Sequence, residues 1–313
     1  MKTLPLPQVV AGLTCCAALF ALPGSARAQI FLYSQSGPSS SFGTVGSYNF
    51  DGSAINSSLI TGLTFNPYII NNLAVSGTAL YVYNPGSTGY YSEYTTSGAT
   101  VNANFTGNVG WASGATVNGG NLYVAGYIAN TVGSYNATSG ATINASLISS
   151  GLNQPYGPVV SGGHIYVANA GNGTVGEFNL DGSVVNTALI TGLTQPSDLA
   201  VANGDLYVSS FGTGNHGKVG EYDATTGAAV NANLVTGLGG SELEIAVAGN
   251  DLYVLQGTLS KFDATSGALI NSSLITGLPG TEGIAILGTP EPGTLALAGL
   301  GGLSLLLARR RQA

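Results

Sequence analysis

The sequence predicts an all-β fold, a six-bladed β-propeller closed by an N-terminal strand, with a C-terminal apolar helix appended. Three observations carry this. A unit of roughly 43 residues recurs six times, each unit holds four short strand signals, and each end of the array lacks what the other end supplies.

Composition already favours short strands joined by tight turns. Of the 313 residues, 44% are hydrophobic, only 7% are charged and 48 are glycine. Soluble chains average about 25% charge. So little charge argues against a disordered chain, and a mean hydropathy of +0.29 argues against a polytopic membrane protein. Without a G-X-Y period, this much glycine points to turns. Both cysteines, Cys15 and Cys16, lie in a hydrophobic N-terminal segment. The working domain therefore excludes disulfide scaffolds, Cys-ligated zinc and thiol nucleophiles, and two histidines are too few for a His-rich metal site.

The first strand type recurs as VGSYN (Tyr48), YSEYT (Tyr94), VGSYN (Tyr135), VGEFN (Phe178), VGEYD (Tyr222) and LSKFD (Phe262), at spacings of 46, 41, 43, 44 and 40 residues. A second recurs as FLYS (Tyr33), LYVY (Tyr81), LYVA (Tyr123), IYVA (Tyr166), LYVS (Tyr207) and LYVL (Tyr253). Segments such as AINSSLITGL (54–63) and LINSSLITGL (269–278) supply the third, and apolar runs such as DLAVAN (198–203) and EIAVAG (244–249) the fourth. Alternation is visible in Val219-Gly220-Glu221-Tyr222-Asp223. Asp223 with Gly227, and Asp263 with Gly267, bracket hairpins, while Asn203-Gly204 and Asn250-Asp251 mark tight turns.

The last unit has no LYV strand after GIAIL, and Ile30–Ser34 is such a strand with no inner strand before it. Pairing Gly283–Leu287 with Ile30–Ser34 closes a ring and removes two exposed sheet edges. An open solenoid would need capping repeats instead, and none are visible in the sequence.

Residues 1–28 read as a secretory signal: Lys2 gives the positive start, Val9 to Leu22 the apolar run, and Ala26-Arg27-Ala28 the small-x-small cleavage pattern. At the other end, Pro290-Glu291-Pro292 precedes an uncharged stretch, Thr294 to Ala308, and then Arg309-Arg310-Arg311. Terminal arginines hold that end in the cytoplasm, leaving the body outside. This three-part order, over about 25 residues, resembles the PEP-CTERM sorting tail of Gram-negative bacteria. The resemblance implies an exosortase-type processing enzyme as partner and transient anchoring in the inner membrane through the C-terminal helix. Release to the cell surface or extracellular matrix would follow. The domain boundaries expected are 1–28, 29–288 and 289–313.

With the leader and the terminal arginines removed and Glu291 kept, Lys218 and Lys261 stand alone against 14 acids, a net charge of about −12. Such a body excludes nucleic acid and anionic membrane surfaces as partners, because phosphates would go unneutralised. The string IYVANAGNGTVGEFNLDGS (165–183) resembles the YVTN/NHL class of β-propeller repeats, which includes both binding modules and enzymes.

Chemical signals are sparse. Gly171–Gly176 and Gly212–Gly217 match G-x-G-x-x-G, but both fall in hairpins leading into a strand, where no phosphate-binding helix begins. His164 reads as a polar turn residue, His216 has no visible partner in the sequence, and no G-x-S-x-G elbow exists. Glu282-Gly283, with Asp198 and Glu242 at similar strand starts, is similar to the cation-ligand pattern of propeller lactonases of the gluconolactonase class. That resemblance implies Ca²⁺ bound through oxygens at the channel mouth, although the family's remaining motif residues are absent from the sequence.

Tyr68, Trp111 and Tyr156 follow Pro67, Gly110 and Pro155, at what read as equivalent inner-strand starts of three consecutive blades. Large aromatics so placed would form an arc for sugar rings, with core packing as the other use of the same rings. The expectation is a non-enzymatic, exported binding module for a glycan or a protein, extracellular polysaccharide being the favoured ligand class, with no cofactor. The alternative is an extracellular metal-dependent hydrolase or lactonase.

Overall fold

The computed structural model describes residues 28–35, 42–64, 73–85, 88–211, 216–239, 243–278 and 280–288. They form six four-stranded antiparallel sheets. Blade 1 takes β1 (Gln29–Gln35), β2 (Phe42–Tyr48) and β3 (Ala54–Thr64). Blade 2 is β4 (Leu73–Ser76), β5 (Ala79–Asn84), β6 (Tyr90–Thr95) and β7 (Thr100–Asn102). Blade 3 is β8 (Ala112–Asn118), β9 (Asn121–Gly126), β10 (Thr131–Asn136) and β11 (Thr142–Ile148). Blade 4 is β12 (Pro155–Ser161), β13 (His164–Asn169), β14 (Thr174–Asn179) and β15 (Val184–Ile190). Blade 5 is β16 (Thr194–Ala202), β17 (Asp205–Phe211), β18 (Gly217–Asp223) and β19 (Ala229–Leu238). Blade 6 is β20 (Glu244–Ala248), β21 (Asp251–Leu255), β22 (Leu259–Asp263) and β23 (Leu269–Ile275), and β24 (Thr281–Leu287) returns as the inner strand of blade 1. Among the described residues no helix is long and apolar enough to cross a membrane. The expected C-terminal helix, and most of the leader, lie outside them.

Closure is made by β24 against β1, with Gln29 opposite Leu287, Leu32 opposite Ile284 and Ser34 opposite Thr281. The register refines the repeat. Phe31 faces Ser47 just as Tyr81 faces Glu93 and Tyr207 faces Glu221. Phe31 therefore takes the place read for Tyr33, which instead corresponds to Tyr83. The two readings differ by two residues, which keeps the same sheet face, so periodicity alone does not separate them.

The core is divided into six wedges, each lying between successive blades. Second strands feed two wedges at once. In β17, Leu206 and Val208 point to blade 4 while Tyr207 points to blade 6. Both faces are buried, so these strands read as apolar runs. The recurring V-G-x-[YF] has a packing cause. A Cβ at Gly220 would stand 2.8 Å from the Tyr222 ring and 3.0 Å from the Ala232 carbonyl. Where the repeat has serine instead, the hydroxyl bonds the corresponding carbonyl: Ser92 to Ala103 at 2.6 Å and Ser260 to Ser272 at 3.0 Å.

Outer strands share a second device. Asn56, Asn102, Asn144, Asn186, Asn231 and Asn271 each accept, through Oδ1, the N–H two residues on, at 2.9–3.1 Å. After Asn231 the register jumps from Glu221–Asn231 to Val219–Val235, so the strand bulges, and blades 1, 3, 4 and 6 do the same. Bulged edges resist edge-to-edge pairing.

Around the rim each blade's last hairpin lies on its predecessor. A Cβ on Gly227 (φ 69°) would fall 2.0 Å from the Leu189 carbonyl oxygen of the blade before. Gly52, Gly98, Gly140, Gly182 and Gly267 make the same approach, with Gly52 meeting Leu274 across the closure. Gly237 has a similar φ of 72° and open space around it. Gly237→Ala should cost about 1 kcal/mol for left-handed backbone alone, and Gly227→Ala about 2 kcal/mol more because backbone must move. Thermal melts of the two variants check this, and equal losses would remove the docking role.

Candidate functional site

The meander puts the hairpins after first and third strands on one face of the ring, where hydrogen bonds such as Ala224 N–H to Gly204 C=O, 2.9 Å, join them. Second-to-third hairpins and the blade connections lie on the opposite face. Trp111 and Tyr156 sit on this second face, Trp111 just before β8 and Tyr156 as the second residue of β12. Gln29 and Leu287, next to both tails, sit on the first.

Trp111 is 44% exposed on a segment clamped from several sides. The Tyr83 hydroxyl of blade 2 donates to Gly110 C=O at 2.5 Å and accepts from Ala112 N–H at 3.3 Å. Trp111 C=O accepts from Tyr127 N–H at 3.0 Å. The Ser113 hydroxyl donates to Pro155 C=O at 2.5 Å, tying blade 3 to blade 4. Tyr127, missed in the sequence because it lies in a loop outside the repeat, packs against Tyr156 with ring centroids 5.1 Å apart. Asn130, Asn153 and Gln154 are exposed beside them, and Asn130 Oδ1 accepts the Gln154 N–H at 2.7 Å.

Tyr68 lies outside the described residues. The expected equivalence of Trp111 and Tyr156 changes: Tyr156 is opposite Ala168, whereas Trp111 lies opposite Tyr127, beyond the Ala112–Gly126 pair. Trp111 thus corresponds to Gln154. They approach through Tyr127, not through sixfold symmetry. Gln154 has φ 50°, and Gln195, its counterpart before Pro196, has φ 44°. A backbone feature repeated in the next blade belongs to the architecture rather than to a ligand.

The axial channel, of about 210 Å³, is lined mainly by aliphatic side chains such as Val75, Val117, Val201, Val247 and Ile286. Asp198 reaches it but is 4% exposed. Its Oδ1 accepts Leu199 N–H, and its Oδ2 accepts Ile245 N–H of the next blade, both at 2.8 Å. Register makes Glu244 its counterpart, and Glu244 Oε2 accepts Ile284 N–H at 2.8 Å, across the closure. These carboxylates satisfy inner-edge donors that no strand covers. Glu242 lies outside the described residues, and Glu282, second in β24, has no described side chain. Among the described residues no group of three or more His, Cys, Asp and Glu side chains could hold a metal ion. Glu244, missed by the sequence reading, is thus structural in the same way as Asp198, since the position two residues after Glu242 is the repeating one.

The face near the tails is acidic. Asp51, Asp181, Asp205, Asp223, Asp251 and Asp263 all occupy its hairpins, and Lys261 pairs with Asp251 at 2.7 Å. Side-chain hydroxyls of Ser53, Ser183, Thr226 and Ser266 hold Asp51, Asp181, Asp223 and Asp263 below the usual carboxylate range. Burial, then Asp223 opposite, raises Asp205. His164, at the start of β13, places Nδ1 3.4 Å from Glu177. Burial, then Glu177, pushes the Tyr166 hydroxyl up to about 12.

Asp198→Ala would strand two buried N–H groups and should cost about 1–3 kcal/mol for each, read as a lower melting temperature in calcium and in chelator alike. A chelator that destabilises the unaltered protein equally would assign Asp198 to a cation.

Residues 288–311 match the PEP-CTERM protein-sorting motif. No curated protein matches the chain. Among solved structures, a chain from the crystal structure of a nidogen/laminin complex superposes with TM-score 0.63 at 15% identity, over 82% of this chain and 98% of that one. At that identity the likeness shows the fold alone. The computationally designed Ika8 protein, at 15% identity and TM-score 0.45 over 73% and 67% of the two chains, is too distant to carry a structural argument.

Proposed function

From a closed six-bladed propeller that ends in a sorting motif, and is on that ground an exported protein, we propose a non-enzymatic binding module for neutral extracellular polysaccharide, processed by an exosortase. The observation that carries the binding half is Trp111, which is 44% exposed on a backbone held by Tyr83, Tyr127 and Pro155. A large aromatic kept in water on a rigid support is suited to a ligand, because its position needs no ordering on binding. Indole and phenol faces stack on the apolar C–H surface of sugar rings, and the amides of Asn130, Asn153 and Gln154 suit hydroxyl groups. With two lysines in the body, a neutral glycan fits better than an anionic one.

Orientation supports the same reading. Because β24 ends on the acidic face, a tail held in the inner membrane would turn that face toward the lipid and leave Trp111 pointing away. Hairpin carboxylates facing anionic headgroups would keep the propeller clear of the surface.

Trp111→Ala should weaken binding on a glycan array by at least tenfold, about 1.4 kcal/mol, with little change in melting temperature. A large stability loss without a ligand effect would make the ring a packing residue. For processing, replacing Pro290, Glu291 and Pro292 with Ala should leave an uncleaved, membrane-held form, read by fractionation with a C-terminal epitope tag. Unchanged release would refute exosortase processing.

A further inference from the structure

A groove of about 360 Å³ opens on the acidic face between blade 1 and the last hairpin of blade 2, lined by Gln29, Ile55, Asn56, Leu59, Ser97 and Leu287 among others. Its position sets it apart from other hollows on the rim. Leu287 is the last residue of β24, and the exposed Gly288 that follows has open space around it. In the other blades the inner strand turns at once into the second strand, as at Asn203-Gly204. Only here does the chain run on, and its next residues are Thr289-Pro290-Glu291-Pro292.

We propose that the segment Thr289–Pro292 docks in this groove, so that the folded propeller covers its own sorting motif until the segment is displaced. Reach is sufficient, since four extended residues span about 13 Å at roughly 3.3 Å each, and the groove begins at Leu287 itself. Chemistry fits as well. The two prolines fix φ and remove two N–H groups, a composition that favours extended chain and loses little freedom on docking. Ile55, 45% exposed, and Leu59 offer apolar surface for the pyrrolidine rings. Asn56 spends Oδ1 on the Ser58 N–H, leaving its NH₂ to donate to a segment carbonyl or to Glu291. Among the described residues no carboxylate lines the groove to repel Glu291. The walls come from β1, β3, β24 and the blade 2 hairpin, so the groove exists only once the ring has closed.

This inference rests on the sorting-motif reading for its consequence alone, and the test is read without any processing enzyme. In the full-length chain carrying Cys15→Ser and Cys16→Ser, the pair Ser97→Cys and Glu291→Cys is oxidised in detergent with copper phenanthroline, and the disulfide is quantified by mass spectrometry. Ser139, the exposed residue before Gly140 in the next blade's hairpin, gives the control pair Ser139→Cys and Glu291→Cys. Docking predicts cross-linking at least tenfold faster at Ser97 than at Ser139, and a tenfold loss when Ile55→Asp is added to the Ser97 pair. Equal rates at the two serines, cross-linking at neither, or a Ser97 cross-link indifferent to Ile55→Asp would overturn the proposal. A Ser97 cross-link that meets these criteria would uphold docking even if the variant with Ala at 290–292 is released unchanged, a result that refutes exosortase processing alone.

Discussion

Each blade of this protein carries apolar side chains on both faces of its second strand, so a blade at the end of a row would leave one of those faces in water. Leu206 and Val208 need blade 4 as much as Tyr207 needs blade 6. The requirement has no solution in an open array without capping repeats, and it is met once the first and last blades touch. Ile30 and Leu32 then pack against Tyr253 and Leu255, while Phe31 and Tyr33 pack against Leu80 and Val82. The rim hairpins and the Asp198 and Glu244 carboxylates follow from that arrangement. They fasten neighbours at the outer and inner radius of wedges that burial has already brought together.

The repeat is legible because packing imposes it on every unit. V-G-x-[YF] recurs since the ring two residues on needs the space a side chain would fill, and Asn recurs at the outer bulges since the same N–H must be met in each blade. Closure is legible for the same reason, as an unmatched strand at each end. The finer register is not. Phe31 and Tyr33 occupy the same face, so a reading by residue type selects the tyrosine, and only the partner Ser47 shows which of them aligns with Tyr81.

Features that break the symmetry are harder still. Trp111 and Tyr156 follow similar Gly or Pro residues yet sit two positions apart in register, and the residue that links them, Tyr127, with its N–H on Trp111 and its ring on Tyr156, belongs to a loop that obeys no repeat. Asp198 reads as a candidate ligand because it stands at a strand start similar to that of Glu282, in the pattern of propeller lactonases. One of the N–H groups it accepts from, that of Ile245, lies 47 residues on, which no local pattern announces.

The strand that closes the ring is also the one from which the sorting tail leaves. β24 runs from the aromatic face to the acidic face, so a pull on the tail, away from the propeller, acts along the strand axis. The rungs between β24 and β1 lie across that axis. Tension would therefore load them together in shear, where a tail leaving from a strand's flank would unzip them singly. Glu244, bonded to the Ile284 N–H from the next blade, adds a lateral anchor to the loaded strand. A tether attached elsewhere would meet its weakest resistance at the seam, whereas here the seam is held in its mechanically strongest geometry.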